Sequence, residues 1–85
     1  MAVEMLYFAW VREAIGKGVE RLDPPAEAVT VDALLDWLAA RGGGYGEAFA
    51  DRSRLRAAVD QAFVPLDAAI AGAREIAIFP PVTGG

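Results

Sequence analysis

One segment of this chain has an unambiguous helical period. Val31, Leu34, Leu35 and Leu38 recur at i, i+3, i+4 and i+7 directly after Thr30. The Thr30 hydroxyl suits an N-cap, and Asp32 and Asp36 stand near the positive end of the helix dipole. A helix of this kind buries a single stripe. Most of the remaining apolar residues fall in short runs broken by Gly and Pro, the pattern of strands. One helix covers one face of a sheet, so the expected fold is α+β and the second face of the sheet must be accounted for separately.

The strands follow from local pattern. Val3 to Val11 is apolar at nearly every position and reads as a central strand covered on both faces. Arg12 to Gly16 reads as a short helical turn stopped by glycine, and Gly18 to Leu22 as a second strand ended by Asp23-Pro24-Pro25. Arg41 reads as a cation in the last turn of the helix, and Gly42-Gly43-Gly44 as its stop and a loose loop. No Gly-Lys-Ser/Thr follows them, so a phosphate-binding loop is not indicated. Tyr45 to Ala50 is expected to form a second short helix with Tyr45, Ala48 and Phe49 inward.

Leu55, Ala57 and Val59 alternate with Arg56, Ala58 and Asp60, as in a strand with one polar side. Asp60-Gln61 is the turn into Ala62-Phe63-Val64, and Glu75 to Phe79 is the last strand. The order β-β-α-(α)-β-β-β matches a ubiquitin-like β-grasp roll, a mixed sheet packed on one main helix, with residues 1–85 forming one domain that ends in a flexible tail, 80–85.

Function classes are narrowed by what the chain lacks. It has no cysteine and no histidine, which removes thiol nucleophiles, imidazole acid/base catalysis and the usual metal ligands. Eight basic against 12 acidic residues give a net charge of −4, which disfavours nucleic acid and favours a basic protein surface as partner. No apolar run is long enough to span a membrane and the start lacks the basic residues of a signal peptide, so a soluble cytoplasmic protein is expected.

Two features point to a delivered tail. The final strand runs straight into Pro80-Pro81-Val82-Thr83-Gly84-Gly85 with no spacer. The prolines fix φ and end the sheet, whereas the diglycine offers a narrow tip whose ionisable group is the Gly85 carboxylate. The second feature is aromatic. If Ile76 and Ile78 face the helix, Phe79 faces away from it; Phe8 has the corresponding parity in the first strand, and Phe63 sits between Ala62 and Val64, which can fill the core instead. Phe8, Phe63 and Phe79 are thus candidates for an exposed docking patch at the base of the tail. The competing reading places these rings under a loop as an extension of the core.

The ending Phe79-Pro80-Pro81-Val82-Thr83-Gly84-Gly85 resembles the signature of the molybdopterin synthase small-subunit family, the MoaD-type sulfur carriers. Phe8-Ala9-Trp10-Val11-Arg12-Glu13-Ala14-Ile15-Gly16, Thr30-Val31-Asp32-Ala33-Leu34, Ala57-Ala58-Val59-Asp60-Gln61 and Ala73-Arg74-Glu75-Ile76-Ala77 extend the resemblance over essentially the whole chain. The chain departs from the family at two turns. It has Asp60 where Asn is common, and Ala71-Gly72-Ala73-Arg74-Glu75 where Asp-Gly-Asp-Glu is common.

The resemblance implies that an ATP-dependent, MoeB-type activating enzyme adenylates the Gly85 carboxylate and that a sulfur donor then displaces AMP, leaving a thiocarboxylate. It further implies a large synthase subunit, paired with the carrier in a heterotetramer, that takes up the tail and uses its sulfur to convert a cyclic pyranopterin precursor to molybdopterin. In that scheme Gly85 reacts, Gly84 gives clearance, and Pro80, Pro81, Val82 and Thr83 set reach and register. The carrier binds no cofactor or metal itself, and ATP belongs to the activating enzyme. Two other readings remain at this point. One keeps the activated carboxylate but changes the acceptor, as in thiazole or tRNA thiolation or a ubiquitin-like modifier; the other is a binding module whose terminus does nothing.

Overall fold

The computed structural model describes residues 2–81. The first strand, β1 (Val3–Tyr7), is shorter than the apolar run that contains it. Its odd residues Val3, Met5 and Tyr7 are buried, whereas Glu4 and Leu6 are half-exposed, so only one face of β1 lies in the core. Phe8 is still extended, and Ala9, at φ +53°, turns the chain into a helix, α1 (Ala9–Ile15). The expectation of a strand through Val11 is therefore corrected. A short, uniformly apolar run carries no period that separates strand from helix, and here it contains both. Gly16, at φ +91°, closes α1 by donating its N–H to the Arg12 carbonyl at 2.8 Å.

The second strand, β2 (Val19–Leu22), returns antiparallel to β1. The main helix, α2 (Val31–Ala39), begins where its pattern predicts, and Val31, Leu34, Leu35 and Leu38 are all fully buried. Each such side chain contributes about 2 kcal/mol by leaving water. The first backbone N–H groups of a helix have no partner within it, and here all of them find one. Val31 and Asp32 donate to the carbonyls of Ala68 (3.0 Å) and Leu66 (2.8 Å), and Ala33 donates to Thr30 Oγ1 (3.1 Å). The loop between the last two strands is thereby tied to the start of α2.

Two expectations about this helix need correction. Asp36 is in its middle rather than at its positive end, and pairs with Arg52, which also holds Asp32. Arg41 lies beyond the helix, over the rings of Trp37 (4.9 Å) and Tyr45 (5.3 Å).

The glycine run is also not a loose loop. It opens a helix, α3 (Gly43–Ala48), after Gly42 at φ +77°. Ala48 and Phe49 are buried as expected. A 3-10 turn (Arg52–Arg54) leads to β3 (Arg56–Val59), β4 (Ala62–Val64) and β5 (Glu75–Phe79). Asp60 and Gln61, at φ +50° and +71°, form a two-residue hairpin whose twist suits the flanking strands. The Asp60 carboxylate accepts the N–H groups of Arg74 and Glu75, fastening the hairpin to the start of β5.

The sheet has the order β2-β1-β5-β3-β4, with β1 and β5 parallel and the other pairs antiparallel. All three α-helices contribute to one core on one face of the sheet: Val11 and Ala48 from α1 and α3 join the α2 stripe against Met5, Tyr7, Leu22, Ala57, Ile76 and Ile78. This is the α+β, ubiquitin-like β-grasp architecture, with α2 as its main helix.

Candidate functional site

The face of the sheet turned away from the helices is defined by register. Cross-strand partners share a face, so Val19, Leu6, Ala77, Ala58 and Phe63 form one continuous row across all five strands. Every member of that row is apolar. Ala58 and Ala77 make a floor only 7% exposed, while Val19 and Phe63 at its two ends are 57% and 84% exposed. Apolar surface is thus left in water at the two ends of the row, the kind of surface that can serve an interaction.

The next row lies toward the C-terminal end of β5. Phe79 is directly opposite Arg56, and its ring meets that of Phe63 at a centroid distance of 5.7 Å and a tilt of 50°. Phe8 follows β1, its N–H donating to the Ile78 carbonyl at 3.2 Å, and its side chain is 47% exposed. Phe63, Phe79, Val64, Pro65, Ala57 and Arg56 enclose an open hollow of about 360 Å³. The inward-facing Ile76 and Ile78 are fully buried. Of the three rings singled out in the sequence, Phe63 and Phe79 touch, Phe79 is half-buried, and Phe8 stands at the same end of the sheet.

Directly after Phe79, Pro80 is half-buried and Pro81 exposed. The tail therefore leaves from the edge of this face. Val82, Thr83, Gly84 and Gly85 lie outside the described residues. A second hollow, of about 210 Å³ among Val3, Pro24, Ile70 and Ile76, sits at the opposite end of the sheet and is lined by apolar side chains. Among the described residues no grouping of acidic side chains is arranged to hold a metal ion.

The strongest polar cluster joins elements rather than lining a cleft. Glu20 Oε2 accepts hydrogen bonds from the hydroxyls of Tyr7 (2.7 Å) and Tyr45 (2.6 Å), and Lys17 and Arg41 lie 3.6 and 3.7 Å from Oε1. Burial alone would raise the Glu20 pKa, but the two phenol hydrogen bonds and the two cations outweigh it and hold the carboxyl below its usual range. Burial, reinforced by the same carboxylate, pushes both phenols up. The cluster pins β2 to β1 and α3.

Several members of the exposed face escape a reading of the sequence. Alternation around β3 assigns Ala58 to the polar side, yet it forms part of the apolar floor. Leu6, Val19, Ala77 and Arg56 acquire their meaning only from the register that sets them beside the aromatic residues. The available signal was the absence of charge from that row; strand order was needed to read it.

The surface and the chain leaving it can be set beside known proteins. The model of the ThiS family matches residues 5–85. The chain belongs to the ThiS family. Two curated relatives are named molybdopterin synthase sulfur carrier subunit. That of Haemophilus influenzae is 36% identical, and that of Escherichia coli 39% identical, each over 98% of this chain and 99% of its own length. Among solved structures, SAMP1 of Haloferax volcanii, small archaeal modifier protein 1, is 28% identical, with a TM-score of 0.70 over the whole of both chains. The match of the ThiS model to Gly85 includes the diglycine end of the tail.

Proposed function

We propose that this ThiS-family chain is the sulfur-carrier subunit of a molybdopterin synthase and acts through the Gly85 carboxylate. The observation that carries the reading is structural continuity: the exposed aromatic face ends at Phe79, and the Pro-Pro-Val-Thr-Gly-Gly segment begins at the next residue. A partner that covers the face receives the tail in a fixed direction. The names of the two relatives support the role, that of a sulfur carrier.

In the first step an activating enzyme of the MoeB type joins the carboxylate to AMP from ATP, releasing pyrophosphate. The acyl phosphate bond replaces a poor leaving group with a good one. A sulfur nucleophile then attacks the carbonyl, AMP departs, and a thiocarboxylate remains. On the large synthase subunit the sulfur passes to the cyclic pyranopterin precursor, and hydrolysis of the spent acyl end restores the carboxylate. The carrier contributes position and reach, and the residues of the catalytic site belong to the large subunit. Phe8, Phe63 and Phe79 dock it, Pro80 and Pro81 hold the neck straight, Val82 and Thr83 set the register, and Gly84 passes the narrowest point. A heterotetramer, with a carrier at each end of a large-subunit dimer, and a cytoplasmic location complete the proposal.

Intact-mass measurement of the chain from its native cell tests this directly. A species heavier by the difference between sulfur and oxygen, placed at the C-terminus by fragmentation, is expected, together with its loss on incubation with the large subunit and precursor. Deleting Gly85, or adding one residue after it, is expected to abolish both. Retained function with either altered terminus refutes the role of Gly85. The SAMP1 likeness favours a second reading, transfer of the same activated end to protein amines. In that case the mass increment appears on other proteins and the large subunit fails to discharge the carrier.

A further inference from the structure

An activated Gly85 carbonyl is an acylating group, and amines compete with sulfur for it. Of the eight basic residues one is a lysine, Lys17; the rest are arginines, whose guanidinium keeps its proton and offers no nucleophilic nitrogen. Lys17 therefore carries the only side-chain amine of this chain. It stands between α1 and β2, flanked by Gly16 and Gly18. β2 is antiparallel to β1 and so begins at the end of the sheet where β1 and β5 finish. That is the end from which the tail departs.

Tyr7 sets the spacing. Its N–H donates to the Gly18 carbonyl at 2.9 Å on one side, and Ile78 is its partner on the other. Two strand spacings, about 10 Å, thus separate Gly18 from Ile78. Six residues follow Phe79, and an extended chain covers at most about 20 Å in six residues. Pro80 and Pro81 take up about 6 Å in leading away from the sheet, and the four residues after them can cover about 13 Å. The Gly85 carbonyl can therefore be brought to the Lys17 amine of the same molecule.

The amine is also open to attack. The Lys17 side chain is 49% exposed, and its two glycine neighbours place no side chain in the way of an approaching carbonyl. Its nitrogen lies 3.6 Å from Glu20 Oε1, too far for a hydrogen bond, and shares that oxygen with Arg41 at 3.7 Å. So exposed an ion pair holds the amine weakly. Glu20 keeps Arg41 and both phenols when Lys17 turns away.

We propose that Lys17 is a modification site for the tail of its own molecule: it closes an internal amide, a lactam, with Gly85 when the acyl-adenylate leaves the activating enzyme before sulfur is transferred. This rests on the carrier reading above and adds a second fate for the same activated end. The Lys17 ammonium first gives a proton to water. The neutral amine then attacks the Gly85 carbonyl, the bond to AMP breaks, AMP departs with the bonding pair, and a second proton passes to water as the amide forms. ATP, already consumed by the activating enzyme, is the one co-reactant. The product has no free carboxylate at Gly85, so it can be neither adenylated again nor loaded with sulfur.

The test uses the full-length chain with the activating enzyme of the same genome and ATP, without a sulfur donor. A species lighter by one water is expected, with fragmentation joining the Lys17 peptide to the peptide that ends in Gly85. Lys17→Arg is expected to form none of it, while still releasing pyrophosphate and, once a sulfur donor is added, still gaining the thiocarboxylate. Lys17→Arg/Arg74→Lys moves the amine to the residue before β5, at the far end of the sheet, and is expected to close at least about tenfold more slowly because the span is longer. Pyrophosphate release with only the original mass recovered, a link through the α-amine or between two molecules, or equal closure by the relocated amine overturns the lactam and leaves the carrier reading intact. A chain from which the activating enzyme releases no pyrophosphate overturns the carrier reading, and the lactam with it.

Discussion

Glu20 ties three separate elements together. It sits on β2, yet its carboxylate holds the hydroxyl of Tyr7 on β1 and that of Tyr45 on α3. Its pKa is depressed in the folded chain, so protons bind it more weakly there than in the unfolded chain. The stability it contributes is present above the unfolded glutamate pKa and is lost as pH falls through the lower, folded value. Tyr7 has the opposite shift: its folded pKa is raised, so its contribution is full below the unfolded phenol pKa and declines as pH rises past it. Melting temperature is therefore expected to fall on both the acid and the alkaline side. Glu20→Ala leaves the buried Tyr7 hydroxyl without its acceptor, which is expected to cost about 2 kcal/mol and lower the melting temperature at neutral pH by roughly 10 °C. Melting curves across pH check both statements, and an unchanged acid limb in Glu20→Ala would remove Glu20 as the source of that dependence.

At the scale of elements, the contact between α1 and α3 depends on the absence of a side chain at Gly44. A Cβ built there would lie 2.0 Å from the Ala14 carbonyl oxygen and 2.9 Å from its carbon, both backbone atoms that cannot rotate away. Gly44→Ala is expected to separate the two helices and destabilise the chain by more than about 3 kcal/mol, seen as a large drop in melting temperature. Gly46→Ala, whose nearest contact would be 3.5 Å, is the matched control and is expected to be neutral or mildly stabilising. The glycine run illustrates what sequence can and cannot express. Its composition suggests a loop, because the reason for Gly44 lies in another helix some thirty residues earlier. The α2 helix was readable because its stripe and its Thr30 cap are both local. The Asp60-Gln61 hairpin was readable for the same reason. The β1–α1 boundary was hidden because each residue from Leu6 to Val11 except Ala9 is large and apolar, whichever element it joins.

The whole molecule divides its apolar residues between two tasks. On the helix side they close a core in which, among the described residues, eleven large side chains are less than 2% exposed. On the other side the Val19–Leu6–Ala77–Ala58–Phe63 row and the Phe79 ring form the apolar face proposed above for docking, with Val19 and Phe63 left largely in water. Phe8, Phe63 and Phe79 could be proposed from strand parity alone. The stacking of Arg54 on Trp10 could not, since the two residues are brought together only by the fold. This division predicts that stability and docking separate cleanly under mutation. Phe63→Ala removes a ring that is 84% exposed, so the free chain is expected to keep its melting temperature to within about 0.5 kcal/mol of stability. Binding to the large subunit is expected to weaken by roughly tenfold or more, because an exposed aromatic ring in contact with Phe79 is lost. Leu34→Ala, on the buried stripe, is expected to do the reverse: about 2–5 kcal/mol of stability lost, with the affinity of the molecules that remain folded little changed. Calorimetric titration with the large subunit, beside melting of each free variant, measures both quantities. If Phe63→Ala destabilises the free chain as much as Leu34→Ala, the outer face is part of the core and the division fails.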